Sequence, residues 1–543
     1  MFGNSWYKKL KPLPSMIGLG GGSTSLAQNA GGVDEWRLFL MGAGGGSRGP
    51  ASSHFQNSTS QGGSGSVVVA SGAMLAPTDV FYCYVGSPGL YGAGPYDESQ
   101  QMNPWIFGGG TPIGNGITGG YGGSGQNQGA GGGGGLAMVV ANGPGPGAGP
   151  PIGTPSDPTG LTYIIAVAGA GGGTQGRGGG SGGGPNVVMP DDPTHPGTSP
   201  EWARGGSGGN TDGGTGGGTL TAGGYGDAGR PGPASPGPTG FFLAGAGGGG
   251  NCPQPGAGGG AGFFGGGGGG GGYAGTSGLT PTNPWSSAGG GGSSFVNPSW
   301  TTELATVGHE GPPWAGSQPG NLGAVPTTYH PYYSTPTDPQ MAYYGTGGPS
   351  PNPYWHGPGT WDFGGRARIV LENVTKGYKR TVNFSGAIEQ IPVAYTSGGL
   401  DFSFDSFSTT GSQDKYRKNA GWGAWTPGTK NCLVASHANS SDFGMEFNFS
   451  GPNTTFTDFE VMTMQGGTGG TFTGHFNTDS PFPVATQNES SGCTPSGSLA
   501  PSLPGGNVTK FTITTSNNSS NASIQVAAIK VNGVVIDFGQ NWI

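Results

Sequence analysis

The side chains of this 543-residue chain that could do acid–base, nucleophilic or metal chemistry are sparse and badly spaced for it. His54, His195, His309, His330, His356, His437 and His475 fall in stretches with no HxxxH or HExxH pattern, so no pair is set to share a metal ion. Asp191, Asp192 and His195 cluster in a proline-rich loop and read as a solvated turn. GxSxG occurs at Gly179–Gly183 and Gly205–Gly209, but a nucleophile elbow needs a strand before the serine and a helix after it. Both matches sit inside glycine tracts, and no helix follows the GxGxxG matches to hold a phosphate. Cys83, Cys252, Cys432 and Cys493 form neither a CxxC pair nor a disulfide framework. Free thiols are the default reading, with a Cys432–Cys493 bridge as the alternative. Asp401, Asp405, Asp458 and Glu460 read as surface charge; a glycosidase pair is distant in sequence and is recognised only by geometry. The expectation is a non-enzyme with no cofactor and no metal.

Binding chemistry is better represented. A segment at 297–365, rich in Pro, Tyr and Trp, carries Trp314, Tyr332, Tyr333, Tyr343, Tyr344, Tyr354 and Trp355. Amphipathic rings in loops supply contact area at low entropic cost, and sugars stack on their faces. These seven, with Trp422 and Trp425 further on, are the candidates for contact with a cell-surface glycan or protein. The alternative is that the rings cover a glycine scaffold that has almost no side chains to bury. At the start of the chain, Trp6, Tyr7, Lys8 and Lys9 form an aromatic and basic arm suited to docking on another protein, or a frayed terminus.

The elements that must position these groups are organised around glycine. There are 127 Gly and 47 Pro, yet only 8% of residues are charged and 10% are aromatic. Disordered chains are rich in charge and poor in aromatics, so this is not their profile. A net charge of −8 with so few basic residues speaks against nucleic acid. Residues 1–20 do not read as a signal peptide, because Pro12 and Pro14 interrupt the apolar run after the lysines. Nor does any segment reach the roughly 18 apolar residues of a membrane span. Glycine runs recur at Gly44–Gly46, Gly131–Gly135, Gly171–Gly173, Gly178–Gly180, Gly265–Gly272 and Gly289–Gly292. Alone, each would be a flexible coil. Each lies near a short apolar segment such as VFYCYV or LTYIIAVA, bounded as strands are. That repetition favours extended helices of three residues per turn, packed side by side and bonded to one another.

The ordered landmarks VFYCYVGSPG, GGGGGLAMVV, LTYIIAVAGAGGG, FFGGGGGGGGYAG, GGGGSSFV and GGRARIVL resemble the glycine-rich domain of anaplastic lymphoma kinase and its relatives. That resemblance covers 33–372 and implies a β-sandwich-like portion leading into a hexagonal array of polyglycine helices. The pattern departs from the receptors in having few cysteines and no stretch that reads as a membrane span or kinase domain. The glycine architecture is also similar to adhesins and tail fibres of bacteriophages, and the opening MFGNSWYKK resembles the starts of virion proteins from marine cyanophages. These resemblances imply a virion protein that needs no signal peptide and docks on other virion proteins through residues 1–32. The fibre analogy implies a homotrimer.

Beyond Glu372 the long glycine runs cease and LDFSFDSF, GMEFNFSG, KFTITTS and ASIQVAAIKVNGVVIDF alternate apolar and polar residues. The spacing predicts a β-sandwich or jelly roll over 373–543. Asn532–Gly533, set between apolar runs, predicts a tight hairpin. The ending IKVNGVVID is similar to lectin-like jelly rolls of phage fibres and spikes. The fold class expected is all-β with a polyglycine array and little or no α-helix. The function expected is a tail fibre or adhesin; a capsid decoration or tail-attachment protein, and a surface-glycan depolymerase, are the alternatives.

Overall fold

The computed structural model describes 34–46, 63, 65–75, 79–86, 89, 132–141, 164–173, 257–263, 265, 289–297, 303–307, 367–373, 378–382, 388–392, 401–410, 433–436, 443–466, 472–484, 494–495, 502–515 and 523–537. Among these residues the chain is all-β, without an α-helix. Its strands are β1 (Asp34–Met41), β2 (Val67–Leu75), β3 (Val80–Val85), β4 (Ala137–Ala141), β5 (Ile164–Ala168), β6 (Phe295–Val296), β7 (Glu303–Val307), β8 (Arg368–Asn373), β9 (Tyr378–Val382) and β10 (Ile388–Pro392). There follow β11 (Asp401–Thr410), β12 (Leu433–Ser436), β13 (Phe443–Asn453), β14 (Phe459–Gly466), β15 (Phe472–Phe476), β16 (Phe482–Val484), β17 (Thr494–Pro495), β18 (Lys510–Thr515), β19 (Ser523–Val531) and β20 (Val534–Asp537).

They form three sheets. The first runs β7-β2-β1-β8-β9, and the third runs β11-β13-β18-β15-β16. The second is longer, running β17-β14-β19-β20-β10-β3-β4-β5-β6, with β12 paired to β19 beside β20. Every pair is antiparallel, so short connections suffice and each ladder can have one face in a core.

Side-chain alternation decides which face that is. Cys83, Glu389, Ile536, Ile529 and Val461 stand in cross-strand register along one face of the second sheet. That face shares a continuous core with Trp36, Leu38 and Leu371 of the first sheet and with Phe447, Phe511 and Ile513 of the third. Trp36 meets Phe81 edge-on, with ring centroids 4.6 Å apart. The opposite face differs along its length. Beside the glycine tracts it is apolar and buried (Tyr82, Tyr84, Met138, Val140), whereas towards β14 it carries the half-buried pair Glu460–Lys530 at 3.8 Å.

The change of composition at residue 372 is not a break in hydrogen bonding. β9 continues the first sheet from β8, and β10 pairs with β3 on one side and β20 on the other. The second sheet therefore runs unbroken from glycine-rich sequence into the C-terminal region. A composition shift records what side chains a stretch needs, whereas pairing is set by register and core. The hairpin at 532–533 is formed as expected, with φ of 48° at Asn532 and 87° at Gly533.

Candidate functional site

The strongest concentration of unusual structure lies where the strands run out into glycine. The segments 42–46, Gly86 with Gly89, and 169–173 follow β1, β3 and β5, while Gly63 with 65–66, 132–136 and 289–294 precede β2, β4 and β6. Antiparallel order puts all six at one end of the paired sheets, where 257–263 joins them.

These tracts bond to one another through their main chains, and the partner changes with a step of three residues. Gly42 N and Gly45 N donate to Ser66 and Gly63; Ala43 N and Gly46 N donate to Gly135 and Gly132. The third direction is used too, since Gly89 N donates to Gly44 O. The tract at 169–173 lies in the middle. Ala170 N and Gly173 N reach Ala261 and Gly258, Gly171 N reaches Ala43 O, and its carbonyls accept from Gly63, Ser66, Gly134, Gly289 and Gly292. All these bonds are 2.7–3.0 Å long. Backbone donors and acceptors in a buried segment must be paired, and here neighbouring tracts do what a sheet ladder does elsewhere. At the tight glycine positions the spacing leaves no room for a side chain, although Ala43, Ala170 and Ala261 fit between them: a Cβ on Gly171 would fall on Gly63 O, and one on Gly133 on Gly259 O.

Two buried serines sit at the joint between sheet and glycine. Ser66 Oγ donates to Gly169 O at 3.0 Å, and Gly169 N donates to Ser294 Oγ at 3.0 Å. The two hydroxyl oxygens are 2.6 Å apart. The result is a closed ring: Gly169 N bonds to the hydroxyl of one tract, and Gly169 O, which also accepts from Ser66 N, to the hydroxyl of another. Phe263 and Phe295 stack nearby, 4.3 Å between centroids.

A second feature escaped the sequence reading. Arg380 of β9 and Glu389 of β10 are both 1% exposed and approach to 2.6 Å between Nη2 and Oε2, with Cys83 in register beside Glu389. Burial pushes the Glu389 carboxyl up to about 7 against the pull of Arg380, and burial also pushes the Cys83 thiol well up. The signal was present: in AIEQIPVAY, Glu389 shares the parity of buried Ile391.

The aromatic candidates Trp314, Tyr332, Tyr333, Tyr343, Tyr344, Tyr354, Trp355, Trp422 and Trp425, and the docking candidates Trp6, Tyr7, Lys8 and Lys9, lie outside the described residues. So do Cys252, Cys432, Cys493, Asp191, Asp192, His195, both GxSxG matches and most of Gly265–Gly272. Cys83 is a free buried thiol. His475 is half-buried on β15, opposite Thr512. Asp401 and Asp405 belong to β11, Asp458 is half-buried beside the 532–533 turn, and Glu460 faces Lys530. Among the described residues no three His, Cys, Asp or Glu side chains come together as a metal site, and no helix is long and apolar enough to cross a membrane.

No family model, curated protein or solved structure matches the chain.

Proposed function

We propose that this chain is a structural protein of a bacteriophage particle, a tail fibre or adhesin in which a rigid glycine scaffold carries a surface that contacts the host. The observation that carries this reading is the mutual bonding of the glycine tracts with a three-residue step. That step is the period of an extended three-residue-per-turn helix, which makes no internal hydrogen bonds and must find its partners outside itself. The tracts are read accordingly as a bundle of polyglycine helices. A scaffold of this kind has few side-chain rotamers to lose and main-chain bonds in several directions, so it is stiff. A stiff support presents a tip without further loss of entropy when the tip binds.

The C-terminal β-region and the aromatic segment before it are the proposed contact surface, with a cell-surface glycan or protein as partner. Residues 1–32 are the proposed attachment to other virion proteins, in a trimeric fibre assembled in the host cytoplasm. Imaging of particles labelled with an antibody to residues 523–537 tests the assignment. Label at the outer end of a fibre is the expected result. Label lying flat on the capsid would replace the adhesin with a decoration protein, and particles without label would end the virion assignment.

A further inference from the structure

One polar clamp is built twice at an end of the C-terminal sheets. Asn477 follows β15 and Asn532 follows β19, and both are left-handed, with φ of 50° and 48°. Asn532 Oδ1 accepts from Thr457 N at 2.7 Å, Thr457 Oγ1 at 3.1 Å and Asp458 N at 3.0 Å. Its Nδ2 donates to Thr455 O at 3.3 Å. Asn477 Oδ1 accepts from Thr509 N, Thr509 Oγ1 and Lys510 N at 2.9, 3.0 and 3.2 Å, and its Nδ2 donates to Asn507 O at 2.9 Å. The main-chain N–H of each asparagine donates as well, to Asp458 O and to Lys510 O. Thr455 and Asn507 pair in an antiparallel bridge, so the two clamped segments touch.

The residue that follows makes the twins chemically different. Asn477 precedes Thr478, whereas Asn532 precedes Gly533. Gly533 has no Cβ to shield its N, is half-buried, and has no atom within 4 Å of where a Cβ would stand. An Asn–Gly pair of this kind can react with itself. The glycine N bonds to the asparagine Cγ, the Cγ–Nδ2 bond breaks, and ammonia leaves with the glycine proton. Water then opens the five-membered imide at one carbonyl to give aspartate, or at the other to give isoaspartate.

The folded turn opposes that reaction. Ring closure needs Cβ and Gly533 N eclipsed about the Cα–C bond, and the left-handed conformation of Asn532 holds them nearly opposite. The donors on Oδ1 polarise the carbonyl, but they also fix its plane. Turning the carboxamide towards Gly533 N breaks all four of its side-chain bonds.

We propose that Asn532 is a self-modification site gated by its clamp. It is inert while bonded to 455–458 and converts to aspartate or isoaspartate once the clamp opens. The change is one-way. Aspartate sets an oxygen where Nδ2 donated to Thr455 O, and isoaspartate adds a carbon to the main chain of the turn between β19 and β20. Neither product can remake the original clamp. Asn477, with the same bonds and threonine next in line, is the internal control.

Incubation of the full chain at pH 8, folded or in urea, followed by peptide mass mapping, tests this. Mapping resolves Asn532 from the Asn–Gly pairs at Asn115 and Asn142. In the folded chain Asn532 is expected to convert at least about 30-fold more slowly than in urea, the low end for four hydrogen bonds. Asn477 should convert far more slowly than Asn532 in urea. Thr457→Val, at an exposed position, removes one donor and should speed conversion of the folded chain about fivefold. Thr509→Val, the matching change in the other clamp, should leave the rate at Asn532 as it was. A folded chain that converts as fast as the unfolded one, no conversion at Asn532 in urea, or equal rates in the two variants would each overturn the proposal.

Discussion

In the glycine lattice the segments touch through their main chains; in the C-terminal sheets they touch through rings. At the lattice centre Gly171 N donates to Ala43 O and Gly171 O accepts from Gly134 N, and a methyl group has nowhere to go. Between the C-terminal sheets, Phe511 packs against Phe459 and Phe476 at centroid distances of 4.7 and 5.1 Å, with Phe447 and Phe482 further round it. Both regions exclude water, but by different physics. Ring burial is non-directional and graded with area, so its neighbours can shift a little when an atom is removed. Main-chain bonding is directional, and each tract is held from several sides. The lattice therefore tolerates almost no added volume, and that intolerance is the counterpart of its stiffness.

Gly171→Ala breaks the lattice side of this comparison most severely. The new Cβ meets the Gly63 carbonyl, a main-chain atom that is itself bonded within the lattice and cannot rotate aside. A loss of more than about 4 kcal/mol is expected, enough to abolish folding of that end of the molecule. Amide exchange should show 42–46, 63–66 and 132–135 losing protection together while β18 and β19 keep theirs. Next in size is Phe511→Ala, which leaves a ring-sized hole between the C-terminal sheets and should cost about 4 kcal/mol in urea unfolding. Here the lattice amides should remain protected. If the two substitutions released the same set of amides, the two regions would be one cooperative unit and the contrast between them would fail.

How far this was legible in the sequence depends on whether a feature is local. VFYCYV, KFTITTS and the Asn532–Gly533 hairpin announce themselves, because β-branching, alternation and turn residues act over a few positions. The adjacency of strand and glycine run was also readable, and it placed the tracts at strand ends. Their partners were not: nothing in GAGGG says that Gly171 bonds to Ala43 and Gly173 to Gly258. Alternation likewise assigns Glu389 to the inward parity but does not name Arg380, nine residues earlier and in another sheet, as the group it meets. The continuation of both sheets past residue 372 was hidden by the change in composition. The aromatic candidates for host contact lie outside the described residues, so the structure bears on the support and not on the tip.

A middle-sized effect is expected at the joint between the two regions. Ser66→Ala removes one of the two donors to Gly169 O, whose bond from Ser66 N remains, and takes away the hydroxyl that meets Ser294 Oγ. The lost hydrogen bonds should cost about 1 kcal/mol, and Ser294→Ala should cost about 1–3 kcal/mol by removing the acceptor of Gly169 N. Because the hydroxyls form one ring, the double variant should cost clearly less than the sum of the singles, by at least about 0.5 kcal/mol. Additive losses would show that the hydroxyls act separately.

The smallest effect separates steric clash from backbone strain, using the same substitution that destroys the lattice. Gly533 has φ of 87° but open space around it, with no atom within 4 Å of an added Cβ. Its turn is held from outside: Asn532 Oδ1 accepts from Thr457 N at 2.7 Å and Asp458 N at 3.0 Å, so the strained conformation persists after substitution. Gly533→Ala should therefore cost only the left-handed conformation of a residue with a Cβ, about 1 kcal/mol, with β19 and β20 still paired. A loss at Gly533 as large as that at Gly171 would mean that glycine is required throughout this chain for its backbone freedom. A small one assigns the lattice glycines their role through the closeness of neighbouring main chains.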